Sequence, residues 1–378
     1  MKPVLHNVDA DGDIVIVLRE FNARWVIPEV RLAYHKYGSS ELSFKLDETQ
    51  ADVPEMPSGL PVVTPSGIDP TEVRFRVSST RLKASSAKLK AIIDGASGET
   101  SIADTPETTP KDDDSQVPAG SASQPSPPSP SVAPVLVDGE ISVTGWNAYA
   151  MLVILKVIHD NSSDVPSKPS LEFIVHFTMI AEFFQFTEKV SFIAGVWCND
   201  YAKTPKLAGI EAIMCLFVAW KFSWSEMFST LARGLVYRGQ GLKYVKTNDL
   251  PIHGILKVLD EIRQRQLGYF RRQLSEVHLS YETRQTGCTA ECQDMMYGKL
   301  TLRLKERNYV GHDAVDDGIS LDECIDMVDS LKRVTWRDAE GRVHYPCSPK
   351  YQLTPVINDI TKTVRWKMEQ LKISDFES

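Results

Sequence analysis

The chain has 378 residues with a formal net charge of -8; apolar residues make up 42% and charged residues 24%. That is an ordinary globular balance with room for two domains. The acidic excess argues against a general nucleic-acid binder, which needs a basic face to displace counterions from phosphates. The longest apolar run, residues 212–220, is nine residues, where a membrane span needs about 20.

The first thirteen residues carry Asp9, Asp11 and Asp13 and read as neither a secretory signal nor a transit peptide. Residues 14–18, Ile-Val-Ile-Val-Leu, predict a buried strand introduced by Asp11-Gly12-Asp13. A second strand-like piece covers 26–34. Residues 47–70 hold five prolines and read as a disordered insert. The alternation at 73–77 predicts a strand, and Ser78-Ser79 a helix start whose hydroxyls take the free amides. Helical spacing through Leu82, Leu89, Ile92 and Ile93 ends at Asp94-Gly95.

Residues 98–138 hold eight prolines, seven acids, one lysine and no aromatic residue. Such a segment cannot bury enough apolar area to offset its ordering entropy, so a second disordered insert is expected. Its Thr105-Pro106, Thr109-Pro110, Ser126-Pro127 and Ser129-Pro130 pairs are candidate phosphorylation sites. Residues 140–144 read as a strand. Trp146 to His159 reads as a helix apolar nearly all round, hence buried. Ser170 caps the next helix, with Phe173, Phe177, Ile180 and Phe184 on one face. Further helices are predicted over 188–201, 206–220, in one long run from Ile255 to Tyr281, and at 356–371.

The order strand, strand, two helices, strand, helices resembles that of BTB/POZ domains. The resemblance rests on Gly12 to Val17, on Phe75 to Ser79 with Leu82, Ser85 and Leu89 to Ile93, on Trp146 to His159, and on Ser170 to Phe186. More specifically, the chain resembles fungal BTB domain-containing proteins, whose downstream Gly-Cys-x-x-Glu-Cys segment appears here as Gly287-Cys288-Thr289-Ala290-Glu291-Cys292.

The fold class expected is therefore α+β: a BTB/POZ-like small sheet capped by helices over residues 9–202, interrupted by inserts at about 47–70 and 98–138. An all-α C-terminal domain follows over 203–378. The resemblance implies a non-catalytic association module, intracellular in the cytoplasm or nucleus. Its partners would be proteins, a second copy among them, with no cofactor; the charge argues against nucleic acid and the short apolar runs against a membrane. The first strand and the helices of 78–95 would form the contact surface. One alternative is a cullin-ligase adaptor, against which the helix of 146–159 offers no Asp or Glu. Another is a nuclear transcription regulator, for which no zinc-finger array or basic zipper is found.

No Gly-x-Ser-x-Gly, phosphate-loop or His-Glu-x-x-His pattern occurs, and no catalytic residue is assigned. Gly239-Gln240-Gly241 reads as an interhelical loop. Arg263, Arg265, Arg271 and Arg272 alternate with acids and read as a solvated helix face. Trp197, Trp220, Phe222 and Trp224 read as core. Cys288, Cys292, His344 and Cys347 could together bind zinc through three thiolates and an imidazole. However, 51 residues separate Cys292 from His344, outside zinc-finger spacing. Buried reduced thiols are the preferred reading, and no metal ligand is assigned.

Overall fold

The computed structural model describes residues 4–35, 42–46, 72–96, 134, 136–161, 165–203, 208–306, 318–331, 337–343, 347–371 and 373–376. The chain is mixed α+β and divides into two compact units. One comprises residues 1–24, 55–166 and 179–190; the other 25–54, 167–178 and 191–378. Most of both expected inserts, and all four hydroxyl-proline pairs, lie outside the described residues.

The first unit is built on a five-stranded sheet. Its strands are β1 (Val4–Asn7), β2 (Ile14–Arg19), β5 (Glu72–Val77), β6 (Leu136–Val137) and β7 (Glu140–Thr144), in the order β1-β5-β2-β7-β6. Strand β2 runs antiparallel to β5, from Ile14 opposite Val77 to Arg19 opposite Glu72, and parallel to β7. The reversal out of β1 is tight: a Cβ on Gly12 would stand 2.8 Å from the Val77 amide nitrogen. Between β5 and β7 come α1 (Ser79–Ser85) and α2 (Ala87–Ala96). Val17, Leu18, Val73, Phe75, Val77, Leu82, Leu89 and Ile141 are wholly buried among these elements.

Helix α3 (Ala148–Ile158) is capped by Asn147, whose Oδ1 accepts the Ala150 amide at 2.9 Å. Of its residues only Lys156 and Val157 escape full burial, as a helix without a polar face must. Ser170 caps α4 (Leu171–Phe183) by accepting the Phe173 amide at 3.2 Å.

The sequence placed the contact surface partly on the strand of residues 14–18. That strand is the middle of the sheet, flanked by β5 and β7, and Ile16, Val17 and Leu18 are at most 2% exposed. Strands β1 and β6 hold the edges instead. Two flanking strands and an apolar run buried on both faces leave β2 no surface to offer.

The second unit holds a small sheet, β4-β3-β8, formed by β3 (Glu29–His35), β4 (Leu42–Leu46) and β8 (Val245–Lys246). Its helices are the first part of α4, through Thr178, and α5 (Thr187–Lys203), begun in the first unit, then α6 (Gly209–Lys221), α7 (Ser225–Arg238), α8 (His253–Glu282), α9 (Ala290–Glu306), α10 (Leu321–Ser330) and α11 (Pro349–Gln370). Strand β3 lies in the early excursion, yet pairs with β8 through Glu29–Lys246 and Val30–Val245. The Trp25 amide also donates to Asp249 Oδ2 at 2.7 Å, and the Asp249 amide to the Trp25 carbonyl at 2.9 Å. This pairing across more than 200 residues is why the division differs from the sequence-based boundary at 202/203, and why the C-terminal unit is not all-α.

Candidate metal centre

In the second unit, the thiols of Cys288, Cys292 and Cys347 converge, with their Sγ atoms all within 4.8 Å of one another. Each is placed by a specific local device. The long helix α8 ends at Glu282, and Arg284 and Gly287 then take positive φ, 57° and 120°. At Gly287 a Cβ would stand 2.4 Å from Gln293 Cγ, so only glycine permits the chain to fold back this closely. The turn is held by Gln293 Nε2 donating to the Arg284 carbonyl at 2.9 Å, and by an Arg284–Asp294 ion pair. Thr289 then opens α9: its Oγ1 accepts the Cys292 amide at 3.2 Å, and its carbonyl the Gln293 amide at 3.1 Å. Cys292 thus sits in the first turn of α9, and Cys288 just before it.

Cys347 arrives from the other direction. Ser348 follows as the N-cap of α11, with Pro349 in the first turn, where its missing N–H costs nothing. The Ser348 hydroxyl donates to the Leu331 carbonyl at 3.1 Å. The Cys347 carbonyl accepts the buried Tyr281 hydroxyl at 2.6 Å, and Gln352 Nε2 donates to that hydroxyl oxygen at 3.2 Å. The C-terminal turn of α8 therefore fixes the start of α11.

The three sites differ in exposure: Cys288 is exposed, Cys347 half-buried and Cys292 fully buried. Burial pushes the Cys292 thiol up to about 12 and the Cys347 thiol upward too, and the three sulfurs interact with one another. Arg342, nearby in sequence to Cys347, is paired with Asp338 at 2.6 Å and with Glu340 at 3.0 Å. Arg342 belongs to a short reversal closed by the Arg337–Val343 bridge, with Gly341 at φ 78°.

The sequence offers four candidate zinc donors beside the reading of buried reduced thiols, which Cys292 fits and the exposed Cys288 does not. Three of the four meet; His344 lies outside the described residues. Cys288 and Cys292 were legible as a pair from spacing alone, whereas their meeting with Cys347 depends on how α8 and α11 pack.

Gly239-Gln240-Gly241 forms a loop after α7, beside a cavity of about 70 Å³ that Arg263 and Asp260 help line. Arg263 corrects the solvated-face reading. It is 1% exposed and buried in α8, donating to Asp260 Oδ1 at 2.8 Å and to the Ile319 carbonyl at 2.7 Å. A carboxylate one turn away and a carbonyl acceptor make that burial tolerable. Arg265 pairs with Glu261 on the exposed side. Trp197 and Phe222 are core, while Trp220 and Trp224 are only half-buried. No helix among the described residues is long and apolar enough to cross a membrane. Compared with known proteins, the chain matches no protein-family model, no curated protein and no solved structure.

Proposed function

We propose that the chain is a non-catalytic association module of the BTB/POZ type, acting as a scaffold or adaptor whose partners are proteins, a second copy of itself first among them. The observation that carries the reading is the sheet order of the first unit. Antiparallel β2 and β5 are followed by the helix pair α1–α2, then by β7 laid parallel on β2, then by buried helices. That is the succession on which the BTB resemblance rests. It also redirects the contact surface from the central strand to the sheet edges. Strand β1 pairs with β5 on one side, and its Leu5 is 54% exposed; Val137 on the other edge strand is 61% exposed. An edge strand offering both backbone groups and an apolar side chain is a template for a further strand.

Sedimentation equilibrium on the full chain tests this. Self-association is expected, with Leu5→Lys weakening it by about tenfold or more, because a lysine on an edge blocks strand addition. A chain that stays monomeric at high concentration, and that co-purifies from native cells with no protein lost in the Leu5→Lys variant, would defeat the reading.

A further inference from the structure

We infer that Cys288, Cys292 and Cys347 bind one Zn²⁺ ion as thiolates, forming a structural centre that ties the start of α9 to the start of α11. Distance, charge and the placement of the donors each support it. The first is distance. Tetrahedral zinc with bonds of about 2.3 Å holds its sulfurs about 3.8 Å apart. The three Sγ atoms already lie within 4.8 Å of one another, so side-chain rotation of roughly an ångström closes the set. None of the three is in a disulfide.

The second is charge. Three thiolates and Zn²⁺ leave a net charge of -1. The surroundings are built to receive it. Cys292 lies in the first turn of α9, and Cys347 immediately precedes the N-cap of α11, so two helix N-termini, each a partial positive charge, border the site. Cu⁺ on the same thiolates would leave a larger negative charge. Three thiolates leave the fourth tetrahedral position of the zinc to a water or a further donor.

The third is the cost of placement. Gly287 is held at φ 120° against Gln293, and the Cys347 carbonyl is fixed by Tyr281, itself held by Gln352. Donors oriented by a second layer of hydrogen bonds are what a metal site needs. Binding releases the thiol protons to solvent as the three Zn–S bonds form, so no oxidant or reductant enters. The inference does not depend on the association reading, since all its residues belong to the second unit.

The test is elemental analysis of full-length protein purified in reducing buffer without chelator, with Co²⁺ substitution as a second readout. One zinc per chain is expected. Cobalt-loaded protein should show thiolate-to-metal charge transfer in the near ultraviolet and the visible bands of a tetrahedral ion. Cys288 is exposed, so Cys288→Ser should keep its circular dichroism spectrum while binding zinc about tenfold more weakly or worse; Cys324→Ala, outside the cluster, should keep its zinc. Metal-free protein that gives no thiolate–cobalt band on titration would overturn the inference. So would a disulfide between two of the three in freshly purified protein, or full zinc content in a Cys288→Ser/Cys292→Ser chain.

Discussion

At the β5–α1 junction, two side chains carry the local structure. His159, buried at the C-cap of α3, accepts the Ser78 amide at Nε2 (3.0 Å), and its Nδ1 pairs with the Leu155 carbonyl at 2.7 Å. A carbonyl only accepts, so Nδ1 carries the proton and Nε2 is free to accept. His159→Ala removes the acceptor of a partly buried amide. A loss of about 1–3 kcal/mol is expected in urea unfolding. Asp13 does what the sequence assigned to the Ser78-Ser79 hydroxyls. Ser78 makes no side-chain cap bond, and Asp13 accepts the Ser79 amide at 2.7 Å and the Ser79 hydroxyl at 2.6 Å. The cap is legible as a position, but its acceptor stands 66 residues away and is brought there only by the β2–β5 register. Those two Ser79 bonds hold the Asp13 carboxyl below its ordinary value of 3.8. A depressed carboxylate stabilises the fold above its unfolded pKa and loses that contribution as pH falls through its folded one. Asp13→Ala should therefore cost about 1 kcal/mol at neutral pH, and the gap from wild type should close on acidification below the ordinary carboxylate range. A gap that persists in acid would contradict the role.

Element by element, what could be read depended on whether the signal was local. Helix α8 is local: of the spaced residues from Ile255 to Tyr281, Ile255, Leu259, Ile262, Phe270, Leu274 and Tyr281 form a buried stripe, and only Val277 is half-buried. Helix α11 begins seven residues before the sequence-based start at 356. Pro349 occupies its first turn and Pro355 lies inside it, and an interior proline weakens the local helical signal ahead of residue 356. Strand β1 was missed because four residues with alternating half-burial carry almost no pattern. The aromatic cluster divides on the same principle. Trp197, on α5, is 7% exposed and meets Phe173 and Phe177 edge-on at 5.7 and 4.8 Å between ring centroids. Trp220 keeps an accessible face, with the Lys221 ammonium 3.7 Å from its ring centre. Composition cannot tell these tryptophans apart; the packing partner can. Trp197→Ala should cost about 3–5 kcal/mol in chemical denaturation, and Trp220→Ala clearly less. Equal losses would mean that Trp220 is as buried as Trp197.

For the molecule as a whole, the chain interleaves its two units, since the excursion at 25–54 and the helices from 191 onward belong together. Composition marks Pro-rich boundaries, but a strand that pairs 200 residues downstream leaves no local trace. The three cysteines repeat the lesson. They come from the loop before α9, from the first turn of α9 and from the residue ahead of the α11 cap, and they meet only in the folded second unit. A ligand that binds only that arrangement adds RT ln(1 + [L]/Kd) to its stability. Each tenfold rise in buffered free zinc above Kd should then add about 1.4 kcal/mol to the unfolding of the second unit. Hydrogen exchange resolves where the change falls. Removing zinc should first cost protection at the N-terminal turns of α9 and α11. The centre of α6, where residues 212–219 are all buried, should lose protection later, and by no more than zinc adds to the unfolding of the whole unit, because its amides open only when that unit does. If α6 lost protection as early as α9, zinc would be holding the second unit together globally. If nothing changed, the thiols would be three neighbours and not a centre.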